Sequence, residues 1–205
     1  MKYIVSLDQG TTSSRAILIN ENGKLIDIKQ KEFKQIFPHQ GWVEHDPNEI
    51  LKSQIDVFEE LVSSISLSDI VSIGITNQRE TTVIWDKDTG KPLYNAIVWQ
   101  DKRTSSICDQ MNRDELSSYV KESTGLVIDS YFSATKVKWI IDNVDGVKSK
   151  LKEDKVLFGT IDSWLIYNLT NFKNHVTDYT NASRTMMYNI KTLQWDKKIL
   201  EYLDI

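Results

Sequence analysis

Tyr3-Ile4-Val5-Ser6-Leu7-Asp8-Gln9-Gly10-Thr11-Thr12-Ser13-Ser14-Arg15 is the stretch that decides the fold, and Ala16-Ile17-Leu18-Ile19 follows it at once. A mostly apolar run, broken only by Ser6, leads into a carboxylate, a glutamine, a glycine and consecutive hydroxyls, then into a second apolar run. The pattern is strand, tight turn, strand. Gly10 is expected to take the positive φ that other residues resist, and successive backbone N–H groups in such a turn converge into an anion-binding nest. Thr11, Thr12, Ser13 and Ser14 add hydroxyl donors, and Arg15 ends the turn with a planar fork suited to phosphate oxygens. Asp8, at the carboxyl end of its strand, is placed to hold a hydrated Mg2+, which prefers carboxylate and phosphate oxygens together. Glycine with hydroxyl residues alone would describe an ordinary polar hairpin; the Asp-x-Gly-Thr-Thr run directly after a strand favours phosphate binding.

The chain around this stretch has 205 residues, 40% of them apolar and 26% charged, the composition of a globular protein. A net charge of −4 argues against nucleic acid or an acidic membrane surface as a partner. No apolar run approaches the roughly 18 residues needed to span a bilayer, and the apolar stretch after Lys2 is too short for a signal peptide. The single cysteine, Cys108, excludes an internal disulfide framework and fits a reducing, cytoplasmic location; with no histidine near it in sequence, it reads as a small packed side chain and not a nucleophile. His39, His45 and His175 lack ligand spacing, so no zinc site is expected.

Asn22-Gly23 is the pair that a two-residue type I′ turn favours, and Leu25 to Phe33 alternates as a third antiparallel strand. Phe37 to Trp42 reads as a loop. Asp46-Pro47-x-Glu49 starts a helix with a cap, a proline at its first position and a carboxylate at its third, and Leu51, Ile55, Phe58, Val62 and Ile65 mark the face expected to pack on the sheet. Val71, Ile73 and Ile75 alternate along a strand ending at Asn77. Thr82 to Trp85 and Asn95 to Trp99 are two more strands. Three antiparallel strands, a helix and a further strand suggest an α/β fold: a ribonuclease-H-like core of the actin/hexokinase type, a mixed sheet flanked by helices. From Asp101 the pattern turns helical, over Asp101 to Asn112, Asp114 to Ser123, Ser133 to Asn143 and Ile161 to Leu169, with Gly125 and Gly146 closing two of these. Lys148 to Lys155 reads as a solvated charged segment. The helical pattern that begins near Asp196 runs without a cap to Ile205, as expected at the boundary of a piece of a longer protein.

Five separated stretches carry a more specific signal: Asp8 to Arg15, Gly41-Trp42-Val43-Glu44-His45-Asp46-Pro47, Thr76-Asn77-Gln78-Arg79-Glu80-Thr81, Val98-Trp99-Gln100-Asp101, and Thr177-Asp178-Tyr179-Thr180-Asn181-Ala182-Ser183-Arg184. In this order along nearly the whole chain they resemble the FGGY carbohydrate kinases, and within them the branch that phosphorylates glycerol. Tyr131-x-Ser133-x-x-Lys136-Val137-x-Trp139-Ile140 resembles a signature of the whole family. The resemblance implies that residues 1–205 form an N-terminal FGGY kinase domain, that a second, similarly folded domain lies outside them, and that the full-length protein is a homo-oligomer.

It also implies ATP/ADP and Mg2+ as cofactors and transfer of the γ-phosphoryl group to a terminal hydroxyl of glycerol. Thr11, Thr12, Ser13 and Arg15 would meet the nucleotide, with Asp8 near Mg2+. Phosphoryl transfer is catalysed mainly by positioning and charge neutralisation, so these are the parts it needs. Arg79-Glu80 sits just past a strand, where ligands gather in α/β folds. Taken alone the pair would read as a surface ion pair, but in the family the corresponding pair binds glycerol, whose hydroxyls both donate and accept. Trp99 and Tyr131, which alone would read as core aromatics, are implied to cover the substrate carbons and to hydrogen-bond the polyol. Trp139 is expected to pack, Asp162 to cap a helix, and Arg184 to face the cleft. The general base, an aspartate, is expected beyond Ile205, so residues 1–205 alone are expected to be inactive and to bind glycerol weakly. Two other readings remain: an FGGY kinase for another polyol or sugar, and an actin-like ATPase that uses nucleotide as a conformational switch.

Overall fold

The computed structural model describes residues 1–205, which divide into two compact units: Met1–Gln35 with His45–Gln78, and Ile36–Glu44 with Arg79–Ile205. In chain order the elements are β1 (Tyr3–Gln9), β2 (Ser13–Asn20), β3 (Leu25–Glu32), β4 (Glu44–His45), α1 (Pro47–Val62), β5 (Ile70–Asn77), β6 (Val83–Asp86), β7 (Ala96–Ile97), α2 (Ser105–Arg113), α3 (Ser117–Thr124), α4 (Ser133–Asn143), α5 (Val147–Lys152), β8 (Val156–Gly159), α6 (Ile161–Leu169), α7 (Tyr179–Ala182), β9 (Tyr188–Asn189), β10 (Gln194–Trp195) and α8 (Lys197–Leu203).

The first unit is a four-stranded mixed sheet of order β3-β2-β1-β5. β1 pairs antiparallel with β2 in the register Leu7↔Ala16 and Asp8↔Arg15, and parallel with β5, Asp8 facing Thr76. Alternation along β1 and β2 turns Val5, Leu7, Ala16 and Leu18 to one face, where Val57, Leu61 and Val62 of α1 cover them. Each buried valine or leucine side chain among these contributes about 1.5–3 kcal/mol. Asp46 caps α1 by accepting from the Asn48 amide at 2.8 Å, as the sequence implies. The buried stripe of α1, however, is Ile50, Ser53, Gln54, Val57, Leu61 and Val62, so that of the expected face Val62 is buried while Leu51, Ile55 and Phe58 are only partly covered. Polar residues shift the stripe: Ser53 Oγ shares a 2.9 Å hydrogen bond with Ser14 Oγ, and Gln54 Nε2 donates to the Arg15 carbonyl at 2.8 Å.

The connection from β2 to β3 is not the type I′ turn expected of Asn22-Gly23, because Asn22 lacks a positive φ and only Gly23 has one, 75°. The Gly23 amide closes the turn on the Asn20 carbonyl at 2.9 Å, and Asn20 Oδ1 accepts from the Asn22 and Lys24 amides.

In the second unit β6 pairs antiparallel with β8, a strand the sequence pattern does not reveal. Ile84, Ile97, Met111, Val120, Val137, Ile140, Met186 and Ile199 join in its main apolar core. Arg103 is a polar pin within it. Its guanidinium donates to Glu44 Oε1 at 2.7 Å and Asp101 Oδ2 at 2.8 Å, with its carbon 3.8 Å from the Trp42 ring centroid and 4.7 Å from that of Trp139. Trp139 packs, as expected. α4 and α6 have the bounds their periodicity gives, whereas α2 and α3 start later than expected and Arg103 and Thr104 form a turn ahead of α2. Gly125 closes α3, but Gly146 opens α5 instead of closing α4, and part of the charged segment after it is helical. The N-cap of α6 is Thr160, so Asp162 lies in the first turn, accepting from the Thr160 and Thr177 hydroxyls. α8 starts at the Asp196 cap and closes at Asp204, whose φ is 53°.

Candidate functional site

Gly10 joins β1 to the turn, but without the positive φ expected of it. What it requires is room: a Cβ there would stand 3.1 Å from the Ser13 carbonyl oxygen, the atom its own amide binds at 2.9 Å. The turn's other carbonyls are also engaged by the first unit. Gln9 Nε2 and Gln78 Nε2 donate to the Gly10 oxygen at 2.7 and 3.1 Å, Gln35 Nε2 to that of Thr11 at 3.2 Å, and the Phe33 amide to that of Thr12 at 3.3 Å. With its acceptors satisfied from within, the turn offers donors outward, which is the arrangement an anion needs. Thr12 is exposed, and neither its amide nor its hydroxyl donates to another group of the protein. Ser13 is buried, its Oγ accepting from Gln30 Nε2 at 3.2 Å, and Ser14 is turned to α1. Arg15 is half exposed; its Nη1 meets Asp8 Oδ2 at 3.0 Å and its Nε donates to Gln30 Oε1 at 3.0 Å. Asp8, Thr11, Thr12, Ser13 and Arg15 are thus brought together.

Beneath them lies a buried histidine that the sequence reading passes over. His45 Nε2 stands 2.6 Å from Gln35 Oε1 and its Nδ1 3.4 Å from Gln78 Nε2. Burial holds its pKa down to about 4, so the ring is neutral near pH 7.

The second unit gathers a different set. Glu80 is 2% exposed, has a φ of 66° and accepts from Arg184 Nε at 2.5 Å. It is therefore no surface ion pair with Arg79, which is exposed and makes no ion pair. The Arg184 guanidinium carbon lies 5.1 Å from the Phe132 ring centroid and 6.0 Å from that of Tyr131, and the Tyr131 and Trp99 centroids are 5.3 Å apart. Ser133 Oγ donates to the Glu80 carbonyl at 3.0 Å. The result is a carboxylate and a guanidinium beside two aromatic faces, a combination suited to a small polyhydroxylated molecule. Lys136 supports it. Its buried ammonium donates to the carbonyls of Ser130, Tyr131 and Phe132, and burial lowers its pKa to about 7. Cys108 is buried and its thiol pKa raised by that burial. Only motif membership marks Arg184, His45 and Lys136 in the sequence; their partners do not show there.

A family model described as the N-terminal domain of the FGGY family of carbohydrate kinases matches residues 3–205. The chain belongs to this family. Among curated FGGY relatives, glycerol kinase of Fusobacterium nucleatum is 62% identical over 208 residues, covering 100% of this chain and 42% of that protein. Glycerol kinase of Alkaliphilus metalliredigens is 62% identical over 206 residues, covering 100% and 41%. The chain thus spans less than half the length of these relatives. The crystal structure of Plasmodium falciparum glycerol kinase with ADP superposes with a TM-score of 0.93 at 38% identity, covering 100% of this chain and 41% of that one. Ligand-bound xylulose kinase from Lactobacillus acidophilus gives 0.90 at 27% identity, covering 100% and 40%. The fold is the α/β, actin/hexokinase-type fold of the FGGY kinases, as β1, β2, β3, α1 and β5 imply. No helix is long and apolar enough to cross a membrane.

Proposed function

We propose that residues 1–205 are the N-terminal domain of a cytoplasmic, homo-oligomeric, ATP-dependent glycerol kinase that makes glycerol 3-phosphate and ADP. The observation that carries this is the gradient of identity: two relatives named glycerol kinase are 62% identical along the whole chain, whereas the xylulose kinase is 27% identical over the same residues. In this reading the Gly10–Thr12 turn, Ser13 and Arg15 receive the nucleotide phosphates. Asp8 lies beside them with its side chain 30% exposed, and one carboxylate next to phosphate oxygens fits Mg2+. Mg2+, when bound, supplies neutralisation of phosphate charge.

Arg79, Glu80, Trp99 and Tyr131 receive glycerol. Glu80, fixed by Arg184, accepts from substrate hydroxyls, the exposed Arg79 fork donates to them, and the Trp99 and Tyr131 rings exclude water from the carbon chain. Because Glu80 is engaged by Arg184, its role is orientation, and the base that takes the proton from the attacking hydroxyl lies outside these residues. The test is turnover by the full-length protein with ATP and glycerol, xylulose or gluconate. Glycerol is expected to be preferred at least about a hundredfold in kcat/KM. Equal or better turnover of a sugar, or glycerol-independent ATP hydrolysis unchanged by Arg79→Ala, would overturn the reading.

A further inference from the structure

We propose that His45 is a positioning residue of the phosphate turn: through Gln35 and Gln78 it holds the Thr11 and Gly10 carbonyls inward and so keeps the turn's donors facing an anion. The inference rests on the reading of that turn as the nucleotide-phosphate site.

The hydrogen-bond polarity can be followed atom by atom. Gln35 Nε2 donates to the Thr11 carbonyl at 3.2 Å and to that of Phe33 at 3.3 Å, which leaves Gln35 Oε1 as the acceptor facing His45. At 2.6 Å from that oxygen, His45 Nε2 carries the proton. Nδ1 is then the acceptor, and Gln78 Nε2 stands 3.4 Å away. The same Gln78 nitrogen lies 3.0 Å from Gln9 Oε1 and 3.1 Å from the Gly10 carbonyl, so its two protons are shared among three acceptors, of which the His45 ring is the most distant. The Gln78 amide closes the circuit by donating to the Gln9 carbonyl at 2.6 Å. One imidazole, with one donor and one acceptor nitrogen, thus joins Gln35 and Gln78, two of the three side chains that reach the Gly10 and Thr11 oxygens; Gln9 is the third.

The ring itself is fixed from two sides. Phe33 meets it edge-on at 5.0 Å between centroids, and the next residue, Asp46, caps α1. No other protein side chain has this polarity on two nitrogens at this spacing. An amide could imitate the donor or the acceptor, but it would not reach both glutamines from the same backbone position. A histidine that only filled space would not stand between two glutamines that both end on one turn. Loss of the link loosens the Thr11 peptide most and leaves the Gly10 carbonyl to rely more on Gln9, so that carbonyl oxygens can turn toward the phosphates and weaken the contacts the turn makes.

The experiment uses the full-length kinase and measures KM for ATP, KM for glycerol and unfolding temperature in the variants His45→Phe and Gln35→Met, with Arg15→Met as reference. His45→Phe keeps an aromatic ring beside Phe33. Gln35→Met cuts the same link at a partly exposed residue, so it reports even where the first variant folds poorly. Each is expected to raise KM for ATP about tenfold while KM for glycerol stays within about twofold. Unchanged KM for ATP in Gln35→Met, or a parallel rise of both KM values with a fallen unfolding temperature, would overturn the inference. If Arg15→Met also leaves KM for ATP unchanged, the turn is not the phosphate site and the inference falls with that reading. If Arg15→Met raises it and the other two do not, the inference alone is lost.

Discussion

Glu80 Oε1 and Arg184 Nε, 104 residues apart in sequence, lie 2.5 Å from each other in the second unit. Glu80 is buried and sits in left-handed backbone, a conformation that costs a side chain such as glutamate on the order of 1 kcal/mol and persists only where its surroundings over-determine it. Arg184→Met is therefore expected to destabilise the protein by about 3 kcal/mol, because it leaves a buried carboxylate without its partner. Urea unfolding checks this, and adding Glu80→Gln should restore more than half of the loss. In the full-length kinase the same single variant should raise KM for glycerol and leave KM for ATP in place.

Gly10→Ala puts a Cβ 3.1 Å from the Ser13 carbonyl oxygen, a backbone atom that cannot move without opening the turn. A stability loss of about 1 kcal/mol is expected, with a rise in KM for ATP several times larger than any change in KM for glycerol. Steady-state kinetics with each substrate varied in turn separates the two.

His45 and Lys136 give opposite ends of the pH profile the same sign. His45 titrates near 6.5 in the unfolded chain and near 4 in the folded one. Between these values the unfolded state binds more protons, so stability falls as pH drops from 6.5 to 4, by about 3 kcal/mol at the limit. Lys136 goes from 10.5 unfolded to about 7 folded, so its contribution grows as pH rises from 7 toward 10.5. Urea midpoints across pH 4 to 10 should show both slopes, with His45→Phe flattening the acid limb and Lys136→Met the alkaline one.

Arg103→Lys tests the polar pin of the second unit. The guanidinium is fully buried, meets two carboxylates and stacks between Trp42 and Trp139. An ammonium reproduces the charge but neither the fork nor the flat face, and a loss of about 2–3 kcal/mol is expected by thermal or urea unfolding.

The β1–β2 hairpin, the capped start of α1 and the bounds of α4 and α6 were legible because each rests on local chemistry: alternation, a cap with its proline, or a 3.6-residue repeat. The α1 stripe was misplaced because apolar periodicity does not see Ser53 and Gln54, which are buried through hydrogen bonds to Ser14 and to the Arg15 carbonyl. β8, β9, β10 and α7 are two to four residues each, too short to show a period. At the site, Asp8, Thr12 and Arg15 stood out by their order in one turn. Glu80 and Arg184 each stood out within its own motif, but their pairing did not, since no spacing rule links positions 80 and 184. Gln35, His45 and Gln78 act through carbonyls, and a sequence does not show where its carbonyls point.

Asp8 and Arg15 neutralise each other at rest, Oδ2 lying 3.0 Å from Nη1. The two residues face each other across the β1–β2 register and are both partly open to solvent, so in the proposed reading an arriving phosphate would compete with the Asp8 carboxylate for the same guanidinium fork. That competition would loosen Asp8 as negative charge arrives and so leave its carboxylate to a cation. Raising the salt concentration would screen the resting pair as well as the incoming contact.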